Sequence, residues 1–471
     1  MKRSSILWRL KPAELRTILL FGDAVVSVLA LFLGLYYWAA GDMWFRFSVE
    51  FLKARPQWWF WFLPLIWLLF LVPLYDSRRF SSRTEVTRWV VVAAMISAAA
   101  YLIIYFTMKE PTMLPRRGVG GFIVAVTILT FLWRLLFMSI FTAPRFMRRV
   151  LIVGAGKSGT TLAEVIRETW PPPFYVVGMV DDDAEKIGTQ IFNFPVIGGS
   201  ECLLAEIEKN EVSDLILAIT GEISGAMFQV VLDAQEKGVR VTTMPVVYEE
   251  LQGRVPIFLL DADWIVRSFV EQAPADVFYL IAKRLIDILG GLVGSVILLL
   301  ILPLITLAIA LDTGFPIFYK QQRLGRSAVP FEIIKFRTMV KDAEKDGEVK
   351  VTAKNDERVT RTGRFLRKTH LDEWPNFLNV LRGEMSMVGP RAERAELVER
   401  LQKQIPFYRA RLLVKPGVSG WAQINFGYAE TASDTGVKLE YDLYYIKHRN
   451  LMLDLIVLLR TFETMIGQRG Q

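Results

Sequence analysis

A single cysteine, Cys202, is all the thiol the chain has. An internal disulfide is therefore excluded, and a free thiol suits a catalytic part that faces a reducing cytosol. No internal repeat and no low-complexity tract is present. Nothing in the sequence resembles a nucleic-acid module, and the basic residues lie beside apolar runs, so nucleic acid is not an expected partner. Acidic residues are scarce in 1–149, with 7 against 19 Lys/Arg. Basic residues are scarce in 150–277, with 8 against 20 Asp/Glu. Residues 278–471 carry 29 basic and 21 acidic side chains, so two basic regions flank an acidic one. Solvated surface accounts for the middle region, and cations flanking membrane segments account for the other two.

Apolar residues are plentiful, at 52% with a mean hydropathy of +0.33. Four apolar stretches open the chain, near 17–40, 58–75, 89–108 and 119–142. Each has about the length needed to cross a hydrocarbon core of roughly 30 Å as a helix. Trp58, Trp59, Trp61 and Tyr75 sit near the ends of the second, as interfacial aromatics do. The first run is long and interrupted early by Asp23, which argues against a cleaved signal. The N-terminus, the second loop and the segment after the fourth stretch hold 12 Lys/Arg, among them Arg78, Arg79 and Arg145. The other two loops hold 6. That bias places the N-terminus and everything after residue 143 in the cytosol.

Residues 146–250 change character. Val150-Leu151-Ile152-Val153 reads as a buried strand and Gly154-Ala155-Gly156-Lys157-Ser158-Gly159 as the turn into a helix. Further strands are expected at 174–180, 215–219 and 239–244, with helices at 201–209 and 226–237. The alternation implies a parallel, doubly wound, Rossmann-like sheet. Gly154, Gly156 and Gly159 suit a pyrophosphate, and Asp181 lies near the place of a ribose-binding acid. No Tyr-x-x-x-Lys pair follows within this segment. A scaffold or dimerising domain is the preferred reading, ahead of a regulatory nucleotide site or an NAD site.

A fifth apolar run, 288–311, has 24 residues without a charge. Lys283 and Arg284 precede it, and Lys320, Arg323 and Arg326 follow, so both flanks look cytosolic. Pro303 lies inside, where a missing N–H and a ring clash bend a helix. The expectation is a re-entrant helix that enters the inner leaflet and returns, rather than a full span.

Beyond it lie the polar clusters. Leu371-Asp372-Glu373 precedes Pro375, which suits the first turn of a helix, and follows Arg367 and Lys368. Adjacent carboxylates can hold a hard divalent cation or attack phosphorus, or they can simply cap the helix. Gly389-Pro390-Arg391 ends in a stiff turn presenting an arginine suited to phosphate. Lys335-Phe336-Arg337 puts two cations on one face of a strand. Lys415-Pro416-Gly417 is another cationic loop, and Tyr441-Asp442 adds a carboxylate.

In order and spacing, these pieces closely resemble the bacterial sugar transferase family, the monotopic polyprenyl-phosphate phosphoglycosyl transferases. Lys283-Arg284-Leu285-Ile286-Asp287 and Gln322-Arg323-Leu324-Gly325 belong to the same resemblance, which covers nearly all of 278–471. The four apolar stretches plus the sheet domain resemble the family's long form. The resemblance implies a re-entrant membrane helix, Asp372 as nucleophile, and Mg²⁺ at Glu373 with Asp372 beside it. It also implies Lys335, Arg337, Arg367, Arg391 and Asp442 as substrate-binding partners. Ala392 stands where the family has proline after the arginine, and His370 where serine often precedes Leu-Asp-Glu. His370 could then serve as a base.

The expected organisation is a membrane bundle of four spans (1–145), a Rossmann-like α/β domain (146–250), a linker (251–277) and a mixed α/β catalytic domain (278–471). The expected activity is transfer of hexose-1-phosphate from a UDP-hexose to undecaprenyl phosphate, releasing UMP, at the bacterial cytoplasmic membrane. Membrane lipid and a second copy of the chain, as a homodimer, are the other expected partners. The alternatives are a membrane-anchored nucleotide sensor and an NAD-dependent nucleotide-sugar epimerase or oxidoreductase.

Overall fold

A long charge-free run leaves its backbone groups no water to bond in a membrane, so it satisfies them internally as helix. The computed structural model describes residues 12–76, 83–107, 115–141, 147–170, 172–260, 264, 268–269, 276–341, 356–427 and 431–466. Arg78, Arg79, Arg145 and the basic residues before Pro12 lie outside the described residues. The chain divides into two units, 1–252 and 253–471.

In the first unit, α1 (Pro12–Ala39) packs along α5 (Arg116–Phe141). The contact is close because it is lined by glycine. A Cβ on Gly34 would sit 2.8 Å from the Phe122 amide nitrogen. Small residues at such crossings let apolar helices approach where burial from water supplies no drive. Helix α4 (Arg83–Thr107) lies against α5 as well. These three are long and apolar enough to cross a membrane.

The second expected span is not a long helix. After a short α2 (Val49–Ala54) it is built of a 3-10 turn (Trp58–Phe62), α3 (Leu63–Phe70) and another 3-10 turn (Val72–Tyr75). Pro64 and Pro73 each open a piece, and neither can donate to the preceding turn. The segment still tracks α5. A Cβ on Gly118 would meet Phe60, Trp67 Nε1 donates to Thr130 Oγ1 at 3.1 Å, and Arg134 Nη1 donates to the Leu74 carbonyl at 3.4 Å. From Gly118 to Arg134 is about 24 Å along a helix.

The rest of the unit is a sheet ordered β3-β4-β2-β1-β5-β6. Its strands are β1 (Arg149–Val153), β2 (Tyr175–Val180), β3 (Gln190–Ile191), β4 (Phe194–Gly198), β5 (Asp214–Leu217) and β6 (Arg240–Thr243). All pairs are parallel except β3 with β4, a hairpin the sequence did not announce. Helices α6 (Lys157–Glu168), α7 (Ser200–Asn210), α8 (Gly225–Glu236) and α9 (Met244–Gln252) connect the strands. The core between strands and helices is aliphatic, with Leu151, Val153, Leu203 and Leu215 fully buried. The expected break near residue 145 falls inside this one unit.

In the second unit the charge-free run becomes α10, which extends past it at both ends, from Val277 to Thr313. Asp276 caps its start by accepting the Phe278 amide at 3.1 Å. Pro303 lies inside the helix, which continues on both sides. One face of α10, marked by Asp287, Gly291, Gly294, Leu298, Ile305 and Ile309, is buried. Leu289, Leu292, Val296, Leu300, Leu304, Leu307 and Leu311 are exposed. The hairpin β7 (Phe318–Leu324) and β8 (Pro330–Phe336) follows, then α11 (Arg361–Lys368) and α12 (Asn376–Arg382). A parallel pair, β9 (Ser386–Val388) with β10 (Gly417–Ser419), brackets α13 (Ala395–Leu401). The chain closes with α14 (Trp421–Asn425), α15 (Ala432–His448) and α16 (Leu451–Ile466).

The expected linker is not free over its first part. Val255 and Ile257 are buried, and the Val255 amide donates to the Glu440 carbonyl at 3.0 Å. Most of 261–275 lies outside the described residues.

Candidate active site

Asp372 and Glu373 sit in a 3-10 turn, Leu371–Glu373. His370 enters it in the left-handed conformation with φ 56° and an exposed side chain. Pro375 caps α12 from outside, so the carboxylates precede that helix rather than forming its first turn. Leu371 and Trp374 pack into an apolar cluster with Ile305, Ile309, Phe336 and Leu366, which fixes the turn against α10 and β8.

Cations converge on the pair. Lys335 Nζ meets Glu373 Oε1 at 2.6 Å. Arg391 grips the same carboxylate with two nitrogens, Nη2 on Oε1 at 2.5 Å and Nη1 on Oε2 at 3.3 Å. Burial disfavours a charge on Glu373, but Arg391 and Lys335 outweigh it and hold the carboxyl below its ordinary pKa. Asp372 goes the other way. Burial raises its pKa, the Glu373 charge raises it further, and Lys335, Arg391 and Arg367 pull it down. Neighbouring carboxylates with opposed shifts are a mark of functional sites. Arg367 is placed by its Nε–H bond to Thr338 Oγ1 at 2.9 Å.

Two expected partners stand elsewhere. Arg337 does not share Lys335's role, because β8 ends at Phe336 and the two side chains part. Arg337 Nη2 donates to the Thr313 and Gly314 carbonyls, the first at 2.9 Å. It therefore caps the end of α10, where carbonyls have no partner in the helix. Asp442 is buried and makes an ion pair with Arg411 at 2.9 Å. Burial pushes the Asp442 carboxyl up to about 6 against the pull of Arg411.

Arg411 was not singled out by sequence reasoning. It is buried, donates to Tyr408 Oη at 2.6 Å and to Glu393 Oε1 at 3.3 Å, and reaches the Arg391 carbonyl at 3.2 Å. Nothing in Tyr408-Arg409-Ala410-Arg411 distinguishes one arginine from the other by pattern. Asp442 thus lies behind the site, acting on Arg391 through Arg411.

The loops carrying Arg391 and Lys415 are locked back to back. The Gly417 amide donates to the Pro390 carbonyl at 2.9 Å, and the Ser386 amide donates to the Pro416 carbonyl at 2.9 Å. A Cβ on Gly389 would lie 2.3 Å from the Lys415 carbonyl oxygen, so only glycine permits the approach. Ala392, at the family's proline position, is buried against Phe331, Ile333, Val380 and Met385.

Among the described residues no cluster of three or more His, Cys, Asp or Glu could hold a metal ion. Asp372 and Glu373 are two adjacent carboxylates, a donor set that could hold a magnesium ion if water and substrate phosphates supply its other ligands.

In the first unit, Gly154 turns the chain with φ 107° after β1. A Cβ on Gly159 would lie 2.0 Å from the Gly154 carbonyl oxygen. Asp181 folds back onto this turn, accepting the Ala155 amide at 2.7 Å and facing Lys186 at 3.3 Å. Gly156 opens α6 with no side-chain cap. The four residues expected to gather here do gather.

Comparison with known proteins bears on both units. Residues 278–468 match the bacterial sugar transferase family, and 71–245 match a CoA-binding domain family. An Aeromonas hydrophila UDP-N-acetylgalactosamine-undecaprenyl-phosphate N-acetylgalactosaminephosphotransferase is 37% identical over 47% of this chain and 51% of its own. A Klebsiella pneumoniae UDP-glucose:undecaprenyl-phosphate glucose-1-phosphate transferase is 33% identical over 68% of each chain. A Komagataeibacter xylinus undecaprenyl-phosphate glucose phosphotransferase is 27% identical over 85% of this chain and 75% of its own. The match thus spans about half the length of the Aeromonas relative and about two thirds of the Klebsiella one. Among solved structures, a UDP-D-quinovosamine 4-dehydrogenase from Vibrio fischeri matches at 25% identity over 25% of this chain and 96% of that chain. Its TM-score of 0.19 is too low to bear on the fold.

Proposed function

The chain belongs to the bacterial sugar transferase family, and from that premise we propose that it is a phosphotransferase moving hexose-1-phosphate from a UDP-hexose to undecaprenyl phosphate. The observation that carries this reading is the Asp372–Glu373 turn, clamped by Lys335 and Arg391 inside the matched segment.

The chemistry has two displacements. A carboxylate oxygen of Asp372 attacks the sugar-proximal phosphorus, the bond to the bridging oxygen breaks, and UMP departs with that oxygen. The product is a mixed anhydride of the Asp372 carboxyl and the sugar phosphate. An oxygen of the lipid phosphate then attacks the same phosphorus, and the Asp372 carboxylate leaves. Asp372 must be ionised to attack, and burial opposes that. Lys335, Arg367 and Arg391 favour the ionised form and also meet the diphosphate charge. Asp372 and Glu373 would hold Mg²⁺, which supplies electrostatic stabilisation of phosphoryl oxygens when bound.

The bias of Lys/Arg among the loops supports a cytosol-facing site at the bacterial inner membrane. The re-entrant reading of α10 is supported by where its two ends attach. Near the start, Arg284 donates to the Val380 and Leu381 carbonyls, both at 2.9 Å. Near the end, Asp312 accepts the Thr362 amide at 2.8 Å. That both ends grip one polar unit supports the reading that both lie on one side of the membrane.

The test is UMP release from a panel of UDP-sugars, with and without polyprenyl phosphate, joined to mass spectrometry of enzyme quenched before acceptor is added. A sugar-phosphate adduct on Asp372, absent from Asp372→Asn, is expected. Near wild-type turnover by Asp372→Asn would remove the covalent step, and no UMP from any UDP-sugar would remove the donor class.

A further inference from the structure

Arg391 has a second setting besides the carboxylate turn. It walls a small open cleft whose other sides include Leu324, Leu412, Val414, Arg411 and Glu393. The aliphatic side chains come from the end of β7 and from the stretch before Lys415, so an apolar surface meets three charged groups. Arg391 is common to this cleft and to the Asp372–Glu373 turn, because its guanidinium bonds Glu373. The transfer chemistry above assigns the cleft no part.

Glu393 is its one acid. The Glu393 backbone carbonyl accepts the Leu324 amide at 2.9 Å, which pins the residue to the end of β7. Its carboxylate accepts from Arg411 Nη1 at 3.3 Å and lies 3.9 Å from Arg323 Nη1. Both contacts are long for charged partners. An ionised carboxylate only accepts, and it offers about four lone-pair sites. Accepting capacity is therefore left over, and the side chain, 21% exposed, can be reached by a ligand. Donors are in surplus around it. Arg323 Nε and Arg411 Nε are buried without an acceptor among the described residues. Apolar walls with a few placed polar groups are the make-up of a small-molecule site.

On the transferase reading, the sugar-proximal phosphorus sits at Asp372 and Arg391 meets the diphosphate charge. The remainder of the leaving UMP then extends past Arg391, where the cleft lies. Its base is flat and apolar on both faces, and it carries an N–H between two carbonyl oxygens on one edge. That N–H suits a carboxylate that only accepts, and the carbonyls suit the surplus of donors. Cytosine presents a bare lone pair at the same ring nitrogen, which a carboxylate repels.

We propose that Glu393 reads the base of the nucleotide-sugar donor, accepting the N3–H of uracil in this cleft. This rests on the transferase reading and adds to it the side chain that selects a uridine donor over other nucleotides. The contact is the same before and during transfer, so it sets KM and base preference rather than kcat.

The experiment uses the full chain in nanodiscs of neutral lipid. Glu393→Gln and Glu393→Asp are compared with wild type, and Glu332→Gln, which removes an acid paired with Lys320 on the same hairpin, is the control. The readout is the ratio of kcat/KM for a UDP-hexose to that for the CDP-hexose of the same sugar. Glu393→Gln should lower this ratio about tenfold or more, because an amide can turn its NH2 toward the cytosine nitrogen. Glu393→Asp should keep the preference for uridine, and Glu332→Gln should leave the ratio within about twofold of wild type. A loosened Arg411 would lower turnover with both donors alike, so the ratio separates base reading from a structural defect. A binding arm titrates UMP, CMP and GMP without sugar or lipid. Wild type should bind UMP more tightly than the other two, and Glu393→Gln should narrow the gap between UMP and CMP. An unchanged ratio in Glu393→Gln, equal binding of UMP and CMP by wild type, or GMP bound as tightly as UMP overturns the assignment. If wild type releases no UMP from any donor, the transferase reading fails on its own, and the binding arm still decides whether Glu393 reads uracil.

Discussion

The indole N–H of Trp421 donates to the backbone carbonyl of Gly253 at 2.8 Å. Trp421 follows the Lys415-Pro416-Gly417 loop directly, while Gly253 comes from the segment expected to be linker. Val255 and Ile257 bury their side chains in the same unit, and Phe258 lies where a Cβ on Gly436 would be, 2.8 Å away. The catalytic unit therefore begins at Gly253. Burying one aliphatic side chain of this size contributes about 1.5–3 kcal/mol. A fragment of 253–471 should unfold several degrees above a fragment of 278–471 and retain more turnover. Thermal unfolding in one detergent measures this. Equal midpoints and equal activity would show that 253–259 merely rests on the surface.

Glu440 gives this docking a pH dependence. Burial pushes its carboxyl up to about 7, while Arg254 and the Ile257 amide pull it down. In the unfolded chain the group titrates near the ordinary glutamate value of 4.5. The folded state therefore holds a proton that the unfolded state has released between those values. Stability from this proton is fully present below about 4.5 and is lost as pH rises through about 7. The wild-type midpoint should fall between pH 5 and pH 8 by several degrees more than that of Glu440→Gln. Superimposable pH profiles for the two proteins would rule this out.

Arg411 should act on the reaction only through Arg391. Its bond to the Arg391 carbonyl fixes the loop, and Asp442, Glu393 and Tyr408 hold Arg411 in turn. Supporting contacts of this kind typically carry about 10–100-fold in activity. Arg411→Ala should lower kcat on that scale, and Arg391→Ala by about 100–1,000-fold. The double variant should be no worse than Arg391→Ala, since two residues acting as one unit do not add. Multiplying defects in a kcat double-mutant cycle would give Arg411 an independent role.

What could be read from the sequence divides by range. Adjacent carboxylates between clusters of cations are a local pattern, and Asp372, Glu373, Lys335 and Arg391 do meet. The strand–helix rhythm of 150–244 is local too, and its four expected strands appear within a residue or two. Arg337 was misplaced because alternation along β8 sets a face only while the strand lasts, and it ends one residue earlier. Arg411 had no local signal, since its importance comes from residues far along the chain. Pro64 and Pro73 were visible signs that the second span is broken, and apolar length outweighed them. The start of α10 was hidden because Lys283, Arg284 and Asp287 look like flanking loop. Each is bonded to the catalytic unit instead, which lets the helix carry charge there.

Among the described residues, the most deeply buried ion pair in the helical part of the first unit makes the sharpest stability prediction. Arg134 meets Asp23 with two nitrogens, Nη2 on Oδ2 at 2.6 Å and Nε on Oδ1 at 3.3 Å. Tyr75 Oη adds a third bond to Oδ2 at 2.9 Å. Asp23 lies in α1, Arg134 in α5 and Tyr75 at the end of the broken second span, so one cluster ties three segments together. Both charged side chains have no exposed surface. Removing one partner strands the other charge among apolar side chains, at a cost of about 3–5 kcal/mol. Removing both deletes the attraction and the desolvation cost together. Arg134→Met and Asp23→Leu should each lower the thermal midpoint in detergent sharply, and the double variant should recover more than half of the loss. Tyr75→Phe should cost only about 1 kcal/mol, the worth of one hydrogen bond. Recovery is the informative result, because it separates a pair that avoids a penalty from one that the fold requires. A double variant as unstable as the worse single one would mean that the pair is needed to hold the proline-broken second span, and that apolar packing cannot replace it.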